Sequence, residues 1–589
     1  MKFIHKYKGV LGLMVLMALI TANTGCNKIL EQKPRNSTYA QVFWQSARDC
    51  ESAIAGNYAL LRNALTAPGS FDRNAFRYYM YGDAQTTAST YFTMNYNGDG
   101  LEGIQGGNFT FQYNIETLGN WTGFYKVIAM SNLILKQIPA IADEKLAKDV
   151  EDVQEYKNRI LGQALFIRAF TYFELTKVYG DVPLVIESYD DVLSAPQLPR
   201  ADKAEVMKQI EADCHQAATL LGWGYESQGE KAVTANRGSV YALLAHLYLW
   251  RATTTNLASD VPVAADVNSA DTTLKKLISA GGYVLQDTAK YGEQFIGQST
   301  ESIFEIAMSE NDLEGANGHI GMGFLTDKYI NGYGTTPRFW VPDNYITTHY
   351  KVELEATGEG WVYYKGGWQW LELTVKGNKY TYNDNGVLVD VSDITDSPLQ
   401  GGYIYIYHPD IDDYTLDLVG FGADIKDIRY RNNFDVGGTQ GRMCVKYRNI
   451  LYRNSSRKTD PYISNNPIIF RLSDIMLLQA EVALYKNDLA GAVTVINFFR
   501  QRSNSSSAKV TVADGKDELM YQYMIERGRE VYLEGHLYFD LIRTRMFREF
   551  IPWLSQSRFE LGGFYWPIVP TLFQDNGNLT QTLYWRGKV

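Results

Sequence analysis

Four cysteines in 589 residues are too few and too widely spaced for a disulfide framework or a zinc site, because Cys26 leaves only Cys50, Cys214 and Cys444. Basic residues are in deficit, 56 Lys and Arg against 66 Asp and Glu, for a formal charge of −10. Removing Lys2, Lys6 and Lys8 with the N-terminal segment makes the rest more acidic still, which excludes nucleic acid as a default partner. After Ile20 no apolar run approaches the roughly 20 residues that a membrane-spanning helix needs. No nucleophile, oxyanion or metal motif stands out. The acidic run from His408 to Asp417 lacks the glycine and the terminal glutamate of a calcium loop, so no metal and no cofactor are expected. A 34-residue consensus repeat is also missing.

What is abundant is aromatic: 13% of the chain, with 42 tyrosines. Tyr and Trp combine an apolar face with a polar edge, which suits wet ligand surfaces as well as cores. A hydrophobic fraction of 45% can bury a large core, and the length implies more than one structural unit.

The chain opens with lysines, an apolar run from Val10 to Ile20, and small and polar residues leading to Gly25 and Cys26. This order reads as a signal peptide over residues 1–25. The Gly25-Cys26 junction resembles the lipobox of bacterial lipoproteins, in which the cysteine becomes the acylated first residue. Residues 26–42, with Pro34 limiting helix, then form a tether.

Helical periodicity marks a first body over residues 43–284. It begins between Ala47 and about Leu65 and gives way to a glycine- and asparagine-rich excursion from Ala67 to Tyr113. It returns with WTGFYKVIAMSNLILKQI, where Trp121, Tyr125, Ile128, Asn132 and Leu135 share a face and Trp121 reads as core. The stretch ILGQALFIRAFTYFELTKVYGDVPLV is apolar on two sides, so its helix lies between others. Gly180 ends it and Pro183 bars continuation. His246, inside RGSVYALLAHLYLWRA, reads as a core histidine. From residue 285 to 466 the period fades, and alternating runs such as WVYYKGGWQWLELTV read as strands in an inserted loop-and-hairpin subdomain. Alternation puts Trp368 and Trp370 on one face, which makes either a small hydrophobic core or a stacking platform. Helices resume over residues 467–589.

The most charged of these apolar segments is IERGREVYLEGHLYFDLIR, from Ile525 to Arg543. Its apolar residues nearly encircle a helix axis, so the spacing predicts one buried helix over the whole stretch. Glu526, Arg527, Arg529, Glu530, Glu534, Asp540 and Arg543 must then pair inside, since unpaired interior ions are costly. Glu530 and Glu534 fit the i,i+4 spacing of a catalytic pair, but Arg527 and Arg529 are near enough to hold both ionised, which suits architecture.

This stretch resembles the C-terminal signature of the SusD/RagB family of Bacteroidetes outer-membrane lipoproteins, written ER(R)RE, then EG, an arginine and a DL-R ending. Gly528 and Leu537 stand where arginines are usual, which implies a thinner ion network. The RAxxYFxLxxxYGDVPL string from Arg168 to Leu184, the W-x3-Y-x2-I-x3-N pattern from Trp121 and the FYWPIVP stretch are similar to further family motifs.

The resemblance implies a mainly α fold: tetratricopeptide-like helix pairs forming a helical body, with the irregular short-strand subdomain inserted. It further implies a cell-surface protein of the outer membrane, lipid-anchored through Cys26, that binds oligosaccharide or polysaccharide and passes it to a SusC-like TonB-dependent barrel without catalysis of its own. The alternatives are a helical-repeat scaffold for protein partners and a surface glycoside hydrolase, which would need two carboxylates about 5–10 Å apart. Sugars present apolar CH faces and polar edges, so a site for them needs exposed rings flanked by hydrogen-bonding groups. The stretches with that composition are Tyr81 to Asn97 and Tyr333 to Trp370. The candidate ligand contacts there are Asp83, Tyr91, Tyr96, Tyr333, Trp340 and Trp368, with Arg338 as a polar partner.

Overall fold

A computed structural model describes residues 43–66, 77–83, 91–92, 106–109, 118–189, 196–308, 319–331, 337, 339–352, 355–364, 367–376, 379–390, 403–408, 413–418, 422–435 and 443–588. The helical body is a run of helices in which each packs on the next: α1 (Ala47–Thr66), α3 (Thr122–Gln137), α4 (Val153–Tyr179), α5 (Lys203–Leu220), α6 (Arg237–Thr254) and α7 (Ala264–Ala280). The short α2 (Arg77–Gly82) stands beside α1. α4 is buried on all sides from Ala164 to Tyr179, as a helix apolar on two faces must be. Asp152 caps it by accepting from the Glu155 N–H, and Gly180 at φ +74° stops it. Trp121 is 4% exposed and packs edge-on against Tyr179, so it is core.

α7 packs directly on α10 (Leu472–Tyr485), although some 190 residues separate them in sequence. The excursion between them is closed at its base by an antiparallel pair, β2 (Ser302–Glu305) with β10 (Ile468–Arg471). Within it lie β3 (Phe339–Trp340), α8 (Asp343–His349), α9 (Ile428–Asn433) and a six-stranded antiparallel sheet. The sheet's strands are β4 (Glu355–Tyr364), β5 (Gly367–Lys376), β6 (Lys379–Asp384), β7 (Val387–Asp390), β8 (Tyr403–His408) and β9 (Asp413–Leu418), in the order β9-β8-β4-β5-β6-β7. The body continues with α11 (Leu489–Arg502), α12 (Gly515–Glu530) and α13 (Leu537–Arg543), followed by short helical turns to Trp585.

The charged stretch is two helices, not one. Between α12 and α13 the chain turns through Leu533 at φ +52° and Gly535 at φ +80°, left-handed conformations that no α-helix contains. A Cβ on Gly535 would sit 2.2 Å from the Tyr78 ring, and one on Gly82 would sit 2.0 Å from the Gly535 carbonyl oxygen. Two backbones meet here, and only glycines allow it.

The ion network is dense, and many of its cations come from elsewhere in the chain. Arg471, at the end of β10, reaches Glu534 at 2.8 Å, Glu530 at 2.9 Å and Glu301 at 3.2 Å. Arg429 on α9 pairs with Asp427 and Glu526, each at 2.6 Å, and with Glu530 at 3.2 Å. Lys446 takes Glu534 at 2.5 Å. Arg527 instead bridges Asp474 at 2.6 Å and Asp540, while Arg543 holds Glu481 and Asp540. Burial alone would push Glu530 up, but Arg471 and Arg429 outweigh it and hold the carboxyl at about 2. The cations that keep Glu530 and Glu534 ionised are thus Arg471, Arg429 and Lys446, not Arg527 and Arg529.

Candidate aromatic site at the β1–β3 pair

β1 (Tyr91–Phe92) pairs antiparallel with β3, setting Tyr91 opposite Trp340 and Phe92 opposite Phe339. The two segments singled out by composition, more than 200 residues apart in sequence, therefore meet. Phe339 is 3% exposed and packs 5.5 Å from Phe324, in room that Gly323 leaves by having no side chain. Alternation along a strand puts the next position on the other face, and Trp340 there is half-buried.

Both segments are rooted on the Glu526–Gly535 stretch. Three residues after Trp340, α8 begins, and its Tyr345 hydroxyl donates to the Gly528 carbonyl at 2.7 Å. The His349 ring stacks on Tyr345 at 4.2 Å and fills the space beside Gly528, where a Cβ would come within 2.4 Å of Nε2. Arg529 donates through Nε to the His349 carbonyl. The imidazole occupies the volume that a side chain at 528 would need. On the other side Asp83, one residue past α2, accepts the Gly535 N–H at 2.8 Å. Tyr345 and His349 were not singled out in the sequence, where only the glycine at 528 marked their place.

Of the residues expected to contact ligand, the structure brings together Tyr91 and Trp340. Trp368 lies on β5, in the separate six-stranded sheet. Tyr96, Tyr333 and Arg338 fall outside the described residues, as does the lipidation candidate Cys26. Asp83 is inside the protein, 1% exposed, so it is not a surface contact. Loop composition alone could not show that its carboxyl turns inward.

Burial, set against the Gly535 N–H and nearby Lys446, pushes the Asp83 carboxyl up to about 8. Between the ordinary carboxylate range and pH 8 the folded protein thus keeps a proton that the unfolded chain releases. The contribution of this group is fully present below about pH 4 and is lost as pH rises towards 8, at roughly 1.4 kcal/mol per unit. Asp83→Asn should lack this dependence, and from pH 5 to pH 8 the stability difference should move in the variant's favour by on the order of 2–4 kcal/mol. Denaturant titrations with superimposable pH profiles would show that the carboxyl is already ionised.

Among the described residues, His246, Asp474 and His536 form one group with metal-ligating atoms within 4.8 Å of one another. Their arrangement is that of a hydrogen-bonded core. His246 pairs with Asp474 at 2.8 Å, Arg527 holds the other carboxylate oxygen at 2.6 Å, and His536 Nε2 meets the Ile469 carbonyl at 3.0 Å. The two imidazoles are stacked, 5.3 Å apart and 19° from parallel, so they do not aim their in-plane lone pairs at one point. His246 is thus the core histidine expected. Cys50, Cys214 and Cys444 are free and buried.

Comparison with known proteins agrees along the chain. Residues 29–249 match a family described as starch-binding associating with outer membrane, and residues 297–585 match the SusD family. SusD-like protein P38 of Formosa agariphila is 24% identical over 98% of this chain and 99% of its own length. SusD-like protein P2 of the same organism is 23% identical over 92% of each. Among solved structures, a SusD homolog from Bacteroides thetaiotaomicron superposes with a TM-score of 0.66 at 20% identity, over 92% of this chain and all of that one. NanU of B. fragilis gives 0.60 at 18% identity, over 93% and 99%.

Proposed function

The chain belongs to the SusD family of glycan-binding nutrient-uptake proteins, and from that premise we propose that it captures oligosaccharide or polysaccharide on the face carrying Tyr91 and Trp340. The observation that carries this reading is the cross-strand pairing of those two residues, which joins two distant aromatic segments into one surface. Stacking rings supply the apolar contact, and Tyr96, Tyr333 and Arg338, in the same two segments, complete the set. Rooting on the buried ion network gives the site a rigid base, so little ordering free energy is lost on binding. The protein is held at the outer membrane by acylation of Cys26 and hands intact glycan to a SusC-like TonB-dependent barrel.

The test is calorimetric titration against a panel of soluble oligosaccharides. Trp340→Ala should weaken binding by about 1–3 kcal/mol, on the scale of aromatic stacking and of interface hot spots. Its melting temperature should change little, because a half-buried ring at the edge of a two-stranded pair supports little core. Unchanged affinity together with a large loss of stability would make Trp340 a core residue and remove the site.

A further inference from the structure

Beside the loop between α11 and α12 lies a cleft of about 610 Å³ that reaches the end of α8, a volume that suits a small ligand. In a chain with a formal charge of −10, cations outnumber acids here: Lys351, Arg500, Lys509 and Arg529 stand against Asp514 and Glu518. Both acids are already engaged, Asp514 with the Thr511 N–H and Glu518 with the Gln522 amide, each at 2.7 Å. Behind the wall the two guanidiniums share one carboxylate. Glu526, 3.3 Å from Arg500 and 3.5 Å from Arg529, is the only one that either meets among the described residues, and Arg429 already holds it at 2.6 Å. Burial, with Arg529 and Arg429 as neighbours, holds the Arg500 guanidinium below its ordinary value in spite of Glu526. This wall is short of negative charge.

We propose that this cleft is an oxyanion site, which takes the carboxylate or sulfate group of a ligand between Arg500, Arg529 and Lys509. Each guanidinium Nη carries two hydrogens. Arg500 gives one from Nη1 to the Ala508 carbonyl and one from Nη2 to Gln522 at 2.5 Å, and Arg529 gives one from Nη2 to Ser507 at 2.8 Å. One hydrogen on each of these atoms therefore has no acceptor among the described residues. Two planar forks with spare hydrogens, lining one cleft, match the paired oxygens of an oxyanion. Arg500 is 4% exposed and Arg529 2%, so packing fixes them in place and little ordering accompanies binding. Charge set in such walls focuses its field into the cleft. Lys509, in the same lining, is exposed and adds a third cation. Tyr521, stacked on Phe550 at 5.5 Å, gives the lining an apolar ring, which an acidic sugar would use and a free anion would not.

The oxyanion site goes beyond the glycan-binding reading and stands without it. The protein is titrated calorimetrically at low salt with sodium sulfate, with galacturonate, and with galactose as the neutral control. Galacturonate, sulfate or both should bind, and binding should weaken as sodium chloride is raised. Arg500→Lys keeps the charge but loses the fork, and should weaken binding about tenfold or more. Because Arg500 also holds Glu526, Lys509→Glu serves as the second variant. Its side chain is exposed, so melting should be unchanged while the anion binds roughly fivefold more weakly. Tighter binding of galacturonate than of sulfate would assign the site to an acidic sugar; any other order would assign it to the anion alone. Binding of neither anion, equal binding of galactose and galacturonate by Trp340→Ala, or anion affinity untouched by both cleft variants would overturn the proposal. Trp340→Ala should leave the anion titration unchanged, and Lys509→Glu the oligosaccharide titration, so either site can fail without the other.

Discussion

Arg471→Met is expected to lower the stability of the protein by about 3–5 kcal/mol, as measured by denaturant titration at neutral pH. The guanidinium is 1% exposed and is the only group that meets Glu301, Glu530 and Glu534 together among the described residues. Methionine fills similar space but leaves those carboxylates facing one another, with Arg429 and Lys446 to offset two of them. Most of the loss is the penalty of stranded charge, not the worth of the pairs. Adding Glu530→Gln and Glu534→Gln should therefore recover part of it. Glu530 also predicts an acid effect. Its depressed value contributes stability that is present above the ordinary carboxylate range and is lost as pH falls towards about 2. Without Arg471 that loss should begin at higher pH. A variant within 1 kcal/mol of the wild type would mean that Glu530 and Glu534 are not held ionised by this arginine.

The second large effect is expected at the turn between α12 and α13. Gly535→Ala places a methyl group 2.2 Å from the Tyr78 ring on a backbone at φ +80°. Left-handed backbone costs about 1–2 kcal/mol for an L-residue and overpacking about 1–3 kcal/mol, so a loss of about 2–5 kcal/mol should follow. The same change loosens the Gly535 N–H from Asp83, the root of the segment that leads to Tyr91. Glycan affinity should fall with stability at this position, which is not expected of Arg471→Met below its melting transition. A Gly535→Ala protein that melts like the wild type would show that the turn can relax.

The helical body was legible because its signals are local. Asp152, Gly180 and Pro183 bracket α4 by cap, left-handed stop and missing N–H, and apolar residues on two sides announce a helix packed between others. The glycan-binding family was legible for the same reason, through short strings that survive at fixed spacing. The charged stretch was legible as a buried ion network but not in its wiring. Helical spacing made Arg527 and Arg529 natural partners for Glu530 and Glu534. The left-handed residues Leu533 and Gly535 instead break the helix, and Arg429, Lys446 and Arg471 supply the charge from up to 101 residues away. The aromatic segments of the site were visible by composition, since rings without helical period stand out.

Their pairing was not visible. Tyr91 meets Trp340 through a two-residue strand pair whose second strand is tied by Phe339 to Phe324 and, through α8, by Tyr345 to Gly528, 183 residues away. The sequence by itself thus determined most of the long helices and the burial of the charges, because helix period and caps act within a few residues, and its family motifs implied the class of ligand. Only the tertiary structure decided which cation faces which carboxylate, that Asp83 turns inward, and that β1 pairs with β3. Those outcomes depend on the volumes left by Gly82, Gly323, Gly528 and Gly535, and space is a property of the packed chain.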